Sequence, residues 1–133
     1  MMNHALLVIL GGGCGAVLRE HLMLGVVGLP GGFPMPIFIA NLMACFFIGV
    51  ISAPTMEIGP GTKLFLATGM MGGLSTFSSF IWGTHQMLVT PAEWSTAVLY
   101  LVVSMILGFM LVILGLRLGE GVMPSRFVRV RRS

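Results

Sequence analysis

Long apolar runs, separated by short connectors rich in proline and glycine, dominate the pattern of this chain. A helix needs about 20 residues to cross a hydrocarbon core of roughly 30 Å. Four runs approach or exceed that length, and they cover residues 5–27, 36–53, 64–83 and 95–116. The proline and glycine residues between them favour turns. The pattern predicts an all-α membrane protein: a single four-helix transmembrane domain over residues 1–133, ending in a tail over 119–133.

Composition supports a membrane location. Hydrophobic residues make up 56% of the 133 residues and charged residues only 8%, whereas soluble domains carry about 25% charge. A chain of this length cannot bury so much apolar surface in its own core, so lipid must solvate it. No charged segment precedes the first apolar run, so we expect a mature N-terminus and not a signal peptide. We predict a multi-pass protein of the cell (inner) membrane.

Basic residues are unevenly distributed between the two ends of the predicted helices. Four spans place both termini on the same side, and most lysine and arginine residues fall there: Lys63, Arg117, Arg126, Arg129, Arg131 and Arg132. The opposite side offers at most Arg19. The positive-inside rule therefore predicts cytoplasmic termini. We expect the basic tail to contact anionic lipid and not nucleic acid.

The third apolar run contains an unusual polar segment at residues 72–80, GGLSTFSSF. Its hydroxyl groups need hydrogen-bond partners in a medium without water, and its adjacent glycines weaken a helix. Such a segment is tolerated where it lines a cavity or path. We predict that the third helix is broken between Gly72 and Ser75, near its centre. Carbonyl groups released by such a break suit a hard cation such as Na⁺.

Two side-chain classes in this segment have competing interpretations. Phe77 and Phe80 share one helical face, where their positive ring edges would suit a small anion. Thr76 and Ser79 lie on a neighbouring face and would offer hydroxyl groups at successive depths. The alternative is ordinary aromatic packing, with hydroxyl groups bonded back to carbonyls of their own helix. Both interpretations stay open from the sequence alone.

Two further polar residues lie inside predicted spans. Arg19 follows the glycine-rich run at residues 11–15, which permits close helix packing. Its side chain either extends to the interface or pairs with helix-end carbonyls and attracts an anion. Asn41 either joins two helices by a hydrogen bond or donates its amide hydrogens to a permeating anion.

The remaining polar residues exclude several functional classes. No carboxylate occupies the core of a span, which argues against a proton-coupled exporter of cations. His4, His21 and His85 lack metal-ligand spacing, and no nucleophile–base pair is present, so the chain is not expected to be an enzyme. We expect Cys14 and Cys45 to be buried small hydrophobic residues.

These residues resemble the small bacterial fluoride channels, the Fluc or CrcB family. The run from Gly11 to Arg19 is similar to the family's first-helix glycine run ending in arginine. Asn41, followed by Gly49, resembles its asparagine-containing helix. Residues 72–80 match its signature GG-x-[ST]-T-F-S-[ST]-F, and the length and four-span layout agree as well.

The resemblance implies a dual-topology antiparallel dimer with two fluoride pores at its interface and a role in passive fluoride export. It implies pore-lining or supporting roles for Asn41, Thr76, Phe77, Ser78, Ser79 and Phe80. Carbonyls of Gly72 and Ser75 from both subunits would hold a structural Na⁺, and Arg19 would have a structural or electrostatic role.

This chain also departs from the family pattern. Gly83 stands where members often carry a glutamate, and Ile81 replaces a small polar residue. The fourth span has Tyr100 and Ser104 without a later threonine, and Pro36-Ile37-Phe38 replaces a glycine–threonine pair. These differences remove polar residues that would continue the pore beyond Phe77 and Phe80.

Alternative functions follow from the charge pattern. A subunit that inserts in both orientations should show little lysine and arginine bias. The bias here suggests insertion in one orientation beside an oppositely oriented homologue. A non-conducting partner subunit that keeps the fold is a further alternative: Ile81 and Gly83 weaken the case for conduction, whereas Asn41, Phe77 and Phe80 favour it. A small multidrug exporter is disfavoured because it needs a membrane-embedded glutamate in its first helix, which this chain lacks.

Overall fold

The computed structural model describes residues 3–26 and 32–122. Within these residues the chain is helical, with no strand. Four helical segments are long and apolar enough to cross a membrane: His4–Gly25, Met35–Ser52, Pro60–Val89 and Pro91–Gly121. The prediction of an all-α, four-span membrane protein is confirmed.

The first two segments are the uninterrupted helices α1 (His4–Gly25) and α2 (Met35–Ser52). The third segment has two arms. Its first arm, α3, covers residues 60–74 and joins α-helical turns at Pro60–Lys63 and Met71–Leu74 through a π-helical stretch at Leu64–Met70. Its second arm, α4, is Phe77–Val89. A 3₁₀ turn at Pro91–Glu93 then leads into α5, Trp94–Val122.

The helices extend beyond several predicted boundaries. The third segment begins at Pro60 instead of residue 64 and ends at Val89 instead of residue 83. The fourth continues to Val122, so the first residues assigned to the tail are helical. Hydropathy marks the apolar centre of a span, whereas the helix continues through polar residues at the interface. Residue 27 and the tail from residue 123 lie outside the described residues.

Glycine allows close backbone contact between neighbouring helices. A Cβ added at Gly15 of α1 would overlap the carbonyl of Met70 in α3. On the other side of the molecule, a Cβ at Gly49 of α2 would overlap the carbonyl of Val112 in α5. Small residues are the usual means of close helix packing in lipid. They allow α1 to pack closely on α3 and α2 to pack closely on α5.

Two buried clusters flank that break. One joins α2 to α3 through Ala40, Ala44, Ile51, Met71 and Leu74. The other joins α4 to α5 through Met87, Ala97 and Tyr100, with Phe33, Phe38 and Phe80 packed against it. The two arms of the third segment therefore have separate cores.

Candidate functional site

The break in the third segment consists of Ser75 and Thr76. Both residues are extended, with ψ 149° at Ser75 and φ −145°, ψ 108° at Thr76. The predicted location, from Gly72 to Ser75, was wrong in its first part, because the helix continues through both glycines to Leu74. Glycine weakens a helix without ending it, and hydrogen bonds to Thr76 determine where this one stops.

The side chain of Asn41 binds both backbone groups of Thr76. The Thr76 N–H donates to Asn41 Oδ1 at 2.8 Å, and Asn41 Nδ2 donates to the Thr76 carbonyl at 3.5 Å. In a continuous helix the Thr76 N–H would instead bond to the carbonyl of Gly72. Because a primary amide has two donor hydrogens, Asn41 keeps one for another ligand.

The hydroxyl of Thr76 organises the start of α4. It accepts a hydrogen bond from the Ser79 N–H at 3.2 Å, as an N-cap does, and donates to Ser79 Oγ at 3.0 Å. Ser78 Oγ lies 3.3 Å from the same oxygen. The three hydroxyl groups thus form one cluster at the break.

Other hydroxyl groups follow the alternative interpretation. Thr84 donates to the carbonyl of Phe80, and Ser104 donates to the carbonyl of Tyr100, each four residues earlier in its own helix. Such bonds satisfy a hydroxyl locally and leave it little capacity for a ligand. The hydroxyl groups at the break thus bond to one another and to the Ser79 N–H, whereas those of Thr84 and Ser104 bond to carbonyls of their own helices.

An open groove of about 260 Å³ lies beside the break, between α2, α4 and α5. Its lining residues are Phe38, Asn41, Leu42, Cys45, Ser75, Thr76, Phe77, Phe80, Ser104 and Met105. The rings of Phe77 and Phe80 have centroids 6.2 Å apart, and the Phe77 side chain is 76% exposed. The predicted residues Asn41, Thr76, Phe77 and Phe80 are therefore brought together, whereas Ser78 and Ser79 contact the site through Thr76.

Several lining residues were not found from the sequence. On α2 they are Phe38, Leu42 and Cys45, which with Asn41 follow the helical spacing i, i+3, i+4, i+7. Had this stripe been traced from Asn41, it would have identified the face of α2 that forms the groove. Cys45 is only partly buried and Cys14 is exposed, so the expectation that both are buried was wrong.

Arg19 contacts the end of α3. Its Nη1 donates to the carbonyl of Gly73 at 3.2 Å, and the side chain is partly buried. In a continuous helix that carbonyl would accept from the N–H of Phe77, which begins a new helix here. Of the two interpretations of Arg19, the structure has the pairing with a helix-end carbonyl.

Gly72 and Ser75 offer backbone oxygens next to the groove. The Gly72 carbonyl loses its helical donor because the Thr76 N–H bonds to Asn41. Gly72 is exposed, and a Cβ added there would have no atom within 4 Å. Across residues 3–26 and 32–122, no group of three His, Cys, Asp or Glu side chains comes together. The ligands available to a cation at Gly72 and Ser75 are therefore neutral carbonyl oxygens.

Fold and site together define a four-span membrane protein whose third helix is interrupted beside a groove lined by aromatic and polar groups. The model of the family described as "CrcB-like protein, Camphor Resistance (CrcB)" matches residues 6–116. The chain belongs to this family, and the family resemblance inferred from its motifs is confirmed.

Curated relatives carry consistent names. The chain is 44% identical to "Fluoride-specific ion channel FluC 3" of Yersinia pseudotuberculosis serotype I (strain IP32953), over 94% of this chain and 95% of the relative. It is 36% identical to "Fluoride-specific ion channel FluC" of Azobacteroides pseudotrichonymphae genomovar. CFP2, over 90% and 98%. It is also 38% identical to "Fluoride-specific ion channel FluC 1" of Brucella abortus biovar 1 (strain 9-941), over 90% of this chain and 46% of that relative. The chain therefore spans about half of the Brucella protein.

Proposed function

We propose that this chain is a subunit of a fluoride-selective channel that releases cytoplasmic fluoride passively across the cell membrane. The observation that carries the proposal is the groove beside the break, where Asn41 has a spare amide hydrogen and the Phe77 ring is largely exposed. The names of the relatives point to the same ion.

The chemistry of the groove favours a small anion. An amide hydrogen and the edge of an aromatic ring each carry a partial positive charge, although both side chains are neutral. The lining contains no carboxylate that would repel an anion or bind a cation. The mixed apolar and polar lining replaces water only for an ion small enough to approach these groups closely, which favours fluoride over chloride.

In a single chain the groove between α2, α4 and α5 is open on one side. The exposed face of Phe77 and the open side of the groove suit a second copy of this chain, inserted in the inverted orientation. Such an antiparallel dimer places one groove of each subunit at the shared interface and so forms two pores. It also buries aromatic surface that would otherwise face lipid.

The residues at the break fit a structural Na⁺. Gly72 and Ser75 supply carbonyl oxygens, the ligand type that hard cations prefer, and Gly72 is open to a partner. Two subunits together would supply such oxygens from both sides. When bound, the ion would attract carbonyl oxygens of both subunits and so hold the two breaks together.

Passive export has a simple physical basis. Fluoride enters cells from acidic surroundings as neutral HF and is trapped as the anion in the less acidic cytoplasm. A selective pore lets the anion leave down its electrochemical gradient without an enzymatic step or a coupled proton. The absence of a carboxylate from the groove fits this uncoupled transport.

The decisive experiment is fluoride efflux from liposomes that contain the purified protein. A fluoride electrode should record rapid release on addition of a K⁺ ionophore, and liposomes loaded with chloride should release far less. A well-folded, monodisperse protein that releases no fluoride would contradict the proposal.

Phe80→Ile tests whether the groove carries the ion. The substitution removes a ring edge from the groove that Asn41 also lines, so efflux should fall to the level of empty liposomes while the protein stays folded. Phe109→Ile is the matched control, because Phe109 is 67% exposed on α5 and does not line the groove. Equal rates in both variants would place the conduction path elsewhere.

The charge pattern favours a second candidate, a subunit of fixed orientation that pairs with an oppositely oriented homologue. Lys63 and Arg117 lie at the same end of the helices, and Arg19, within α1, is hydrogen-bonded to Gly73. A C-terminal epitope in cells expressing this chain alone should then face the cytoplasm in every molecule. An epitope split between both faces, with a functional purified homodimer, would rule out this candidate. A folded chain that conducts only with its homologue would support it.

A further inference from the structure

Tyr100 of α5 is a buried tyrosine beside the groove. Its side chain is fully buried, and its hydroxyl is the single buried side-chain polar atom without a hydrogen-bond partner among the described residues. Its ring packs on Phe80 with centroids 5.0 Å apart. A buried unpaired hydroxyl is costly and calls for an explanation. The ring that carries this unpartnered hydroxyl thus packs on a phenylalanine that lines the groove.

Two further rings shield Tyr100. Phe33 meets it edge to face, with centroids 5.2 Å apart and an interplanar angle of 83°. Phe38 lies 6.1 Å from Tyr100 and 5.4 Å from Phe33. Because Phe38 and Phe80 also line the groove, these four residues form a continuous aromatic cluster at one end of it.

Phe33 is at the outermost position of this aromatic cluster. It precedes the first residue of α2, whereas Cys45, at the other end of the groove's α2 stripe, lies about 10 Å deeper than Phe38 along the helix. Phe38 is the groove-lining residue nearest to the start of α2, and the Phe33 ring packs on it. Phe33 does not itself line the groove but lies past Phe38, just before α2 begins.

Neighbouring contacts hold Phe33 in this place. Gly32 has φ +71°, a conformation that favours glycine, and the carboxylate of Glu93 lies where a Gly32 side chain would be. Pro34 packs on Gly83, where an added Cβ would lie 3.0 Å from its Cγ. Because Gly83 has no side chain, Pro34 can pack against it. Phe33 is therefore held on both sides, by Gly32 next to Glu93 and by Pro34 next to Gly83.

We propose that Phe33 forms an aromatic constriction at this end of the conduction path, which keeps water from the Tyr100 hydroxyl and limits the rate of fluoride passage. The proposal rests on the proposed function. Apolar constrictions restrict ion flow because narrow apolar passages lose water. Gly83, a departure from the family pattern, then supports the constriction, because Pro34 packs on it next to Phe33.

The first experiment is a size series at Phe33 in the liposome efflux assay. Phe33→Leu and Phe33→Ala should raise the initial rate of fluoride release progressively, by several-fold for alanine, and Phe33→Trp should lower it. Phe109→Ala, on the exposed face of α5, should leave the rate unchanged. A folded Phe33→Ala protein with the wild-type rate or a lower one would overturn the proposal.

The second experiment does not depend on conduction. The chain has a single tyrosine, so incorporated 3-fluorotyrosine gives one ¹⁹F resonance that reports on Tyr100. Changing H₂O to D₂O should leave this resonance in place in the wild-type background and shift it in Phe33→Ala, where water reaches the ring. No shift in Phe33→Ala would overturn the proposal.

The two readouts separate failure of the inference from failure of the proposed function. If the wild type and all variants are folded and release no fluoride, the channel proposal fails, and the ¹⁹F shift alone decides whether Phe33 excludes water. If the wild type conducts and Phe33→Ala admits water without a faster rate, the channel stands and Phe33 is not its constriction.

Discussion

The two arms of the third membrane segment are held in place by different interactions. The first arm, α3, packs backbone to backbone against α1, where Gly15 leaves no room for a side chain. The second arm, α4, is held by side chains, with Met87 buried and the Phe80 ring packed at a tilt against Tyr100. The contact of α3 with α1 therefore requires the absence of side chains, whereas the contact of α4 with α5 is made by side chains.

This difference separates scaffold from site. Backbone contact through glycine is rigid and tolerates little change, so α3 is a scaffold held against α1. The aromatic contacts of α4 leave one ring, Phe77, exposed and available to a ligand or partner. Polar side chains of two other helices bind at the junction: Arg19 of α1 donates to Gly73 at the end of α3, and Asn41 of α2 binds Thr76 in the break.

The largest effect is expected from a side chain between α1 and α3. In Gly15→Leu the new side chain would overlap the Met70 backbone, so the cost should exceed the roughly 1–3 kcal/mol typical of overpacking. We expect loss of monodisperse protein in size-exclusion chromatography. Gly13→Leu is the control, since a Cβ there meets nothing within 4 Å. Equal behaviour of the two variants would mean that the close contact does not hold α3.

Removing the amide at position 41 tests the junction of the two arms. Asn41→Leu leaves the buried Thr76 N–H unpaired, which should cost about 1–3 kcal/mol in the free energy of unfolding, measured by denaturant titration in mixed micelles. Fluoride efflux should be lost as well.

Asn41→Asp distinguishes the structural role from the ligand role. It keeps an oxygen for the Thr76 N–H, so stability should fall less than in Asn41→Leu. The added negative charge should still abolish efflux, because it repels an anion in the groove. An aspartate variant with wild-type efflux would mean that the ion does not pass Asn41.

The sequence predicted the scaffold more fully than the details of the break. Length and hydropathy are properties of each span alone, so the four helices followed from them directly. The end of α3 depends on Asn41, which is remote in sequence from Thr76, and no local propensity contains that information. The predicted break therefore began at the glycines, which stay helical in the structure.

The π-helical stretch at Leu64–Met70 and the outer aromatic cluster were missed for the same reason. The sequence of the stretch reads as an ordinary apolar helix, and nothing local marks its change of hydrogen-bond pattern. Phe33 lies in a connector, so its contact with Tyr100 depends on how α2 and α5 pack. From the sequence, Gly83 stands only where an acidic residue is often found. In the structure it contacts Pro34, so its lack of a side chain has a steric role.

A smaller effect is expected at the start of α4. Thr76→Val removes the hydroxyl that caps the helix through the Ser79 N–H, which should cost about 1 kcal/mol in the same unfolding titration. Thr76→Ser should restore most of it. Thr84→Val is the control, because the Thr84 hydroxyl bonds only to a carbonyl of its own helix. A Thr76→Val protein as stable as the control would mean that Asn41 alone fixes the break.

The smallest effect on stability, with a disproportionate effect on transport, is expected at Arg19. Arg19→Met removes one bond to the Gly73 carbonyl, and interhelical hydrogen bonds in membranes contribute only about 0.6 kcal/mol on average. The same change removes a positive charge beside the break, where the low dielectric strengthens its attraction for an anion. Efflux should therefore fall more than stability does. Arg19→Lys keeps the charge and should retain most of the flux even where its bond to Gly73 is weaker. If lysine and methionine reduce efflux equally, Arg19 acts through the geometry of α3 alone, and the first arm is purely scaffold.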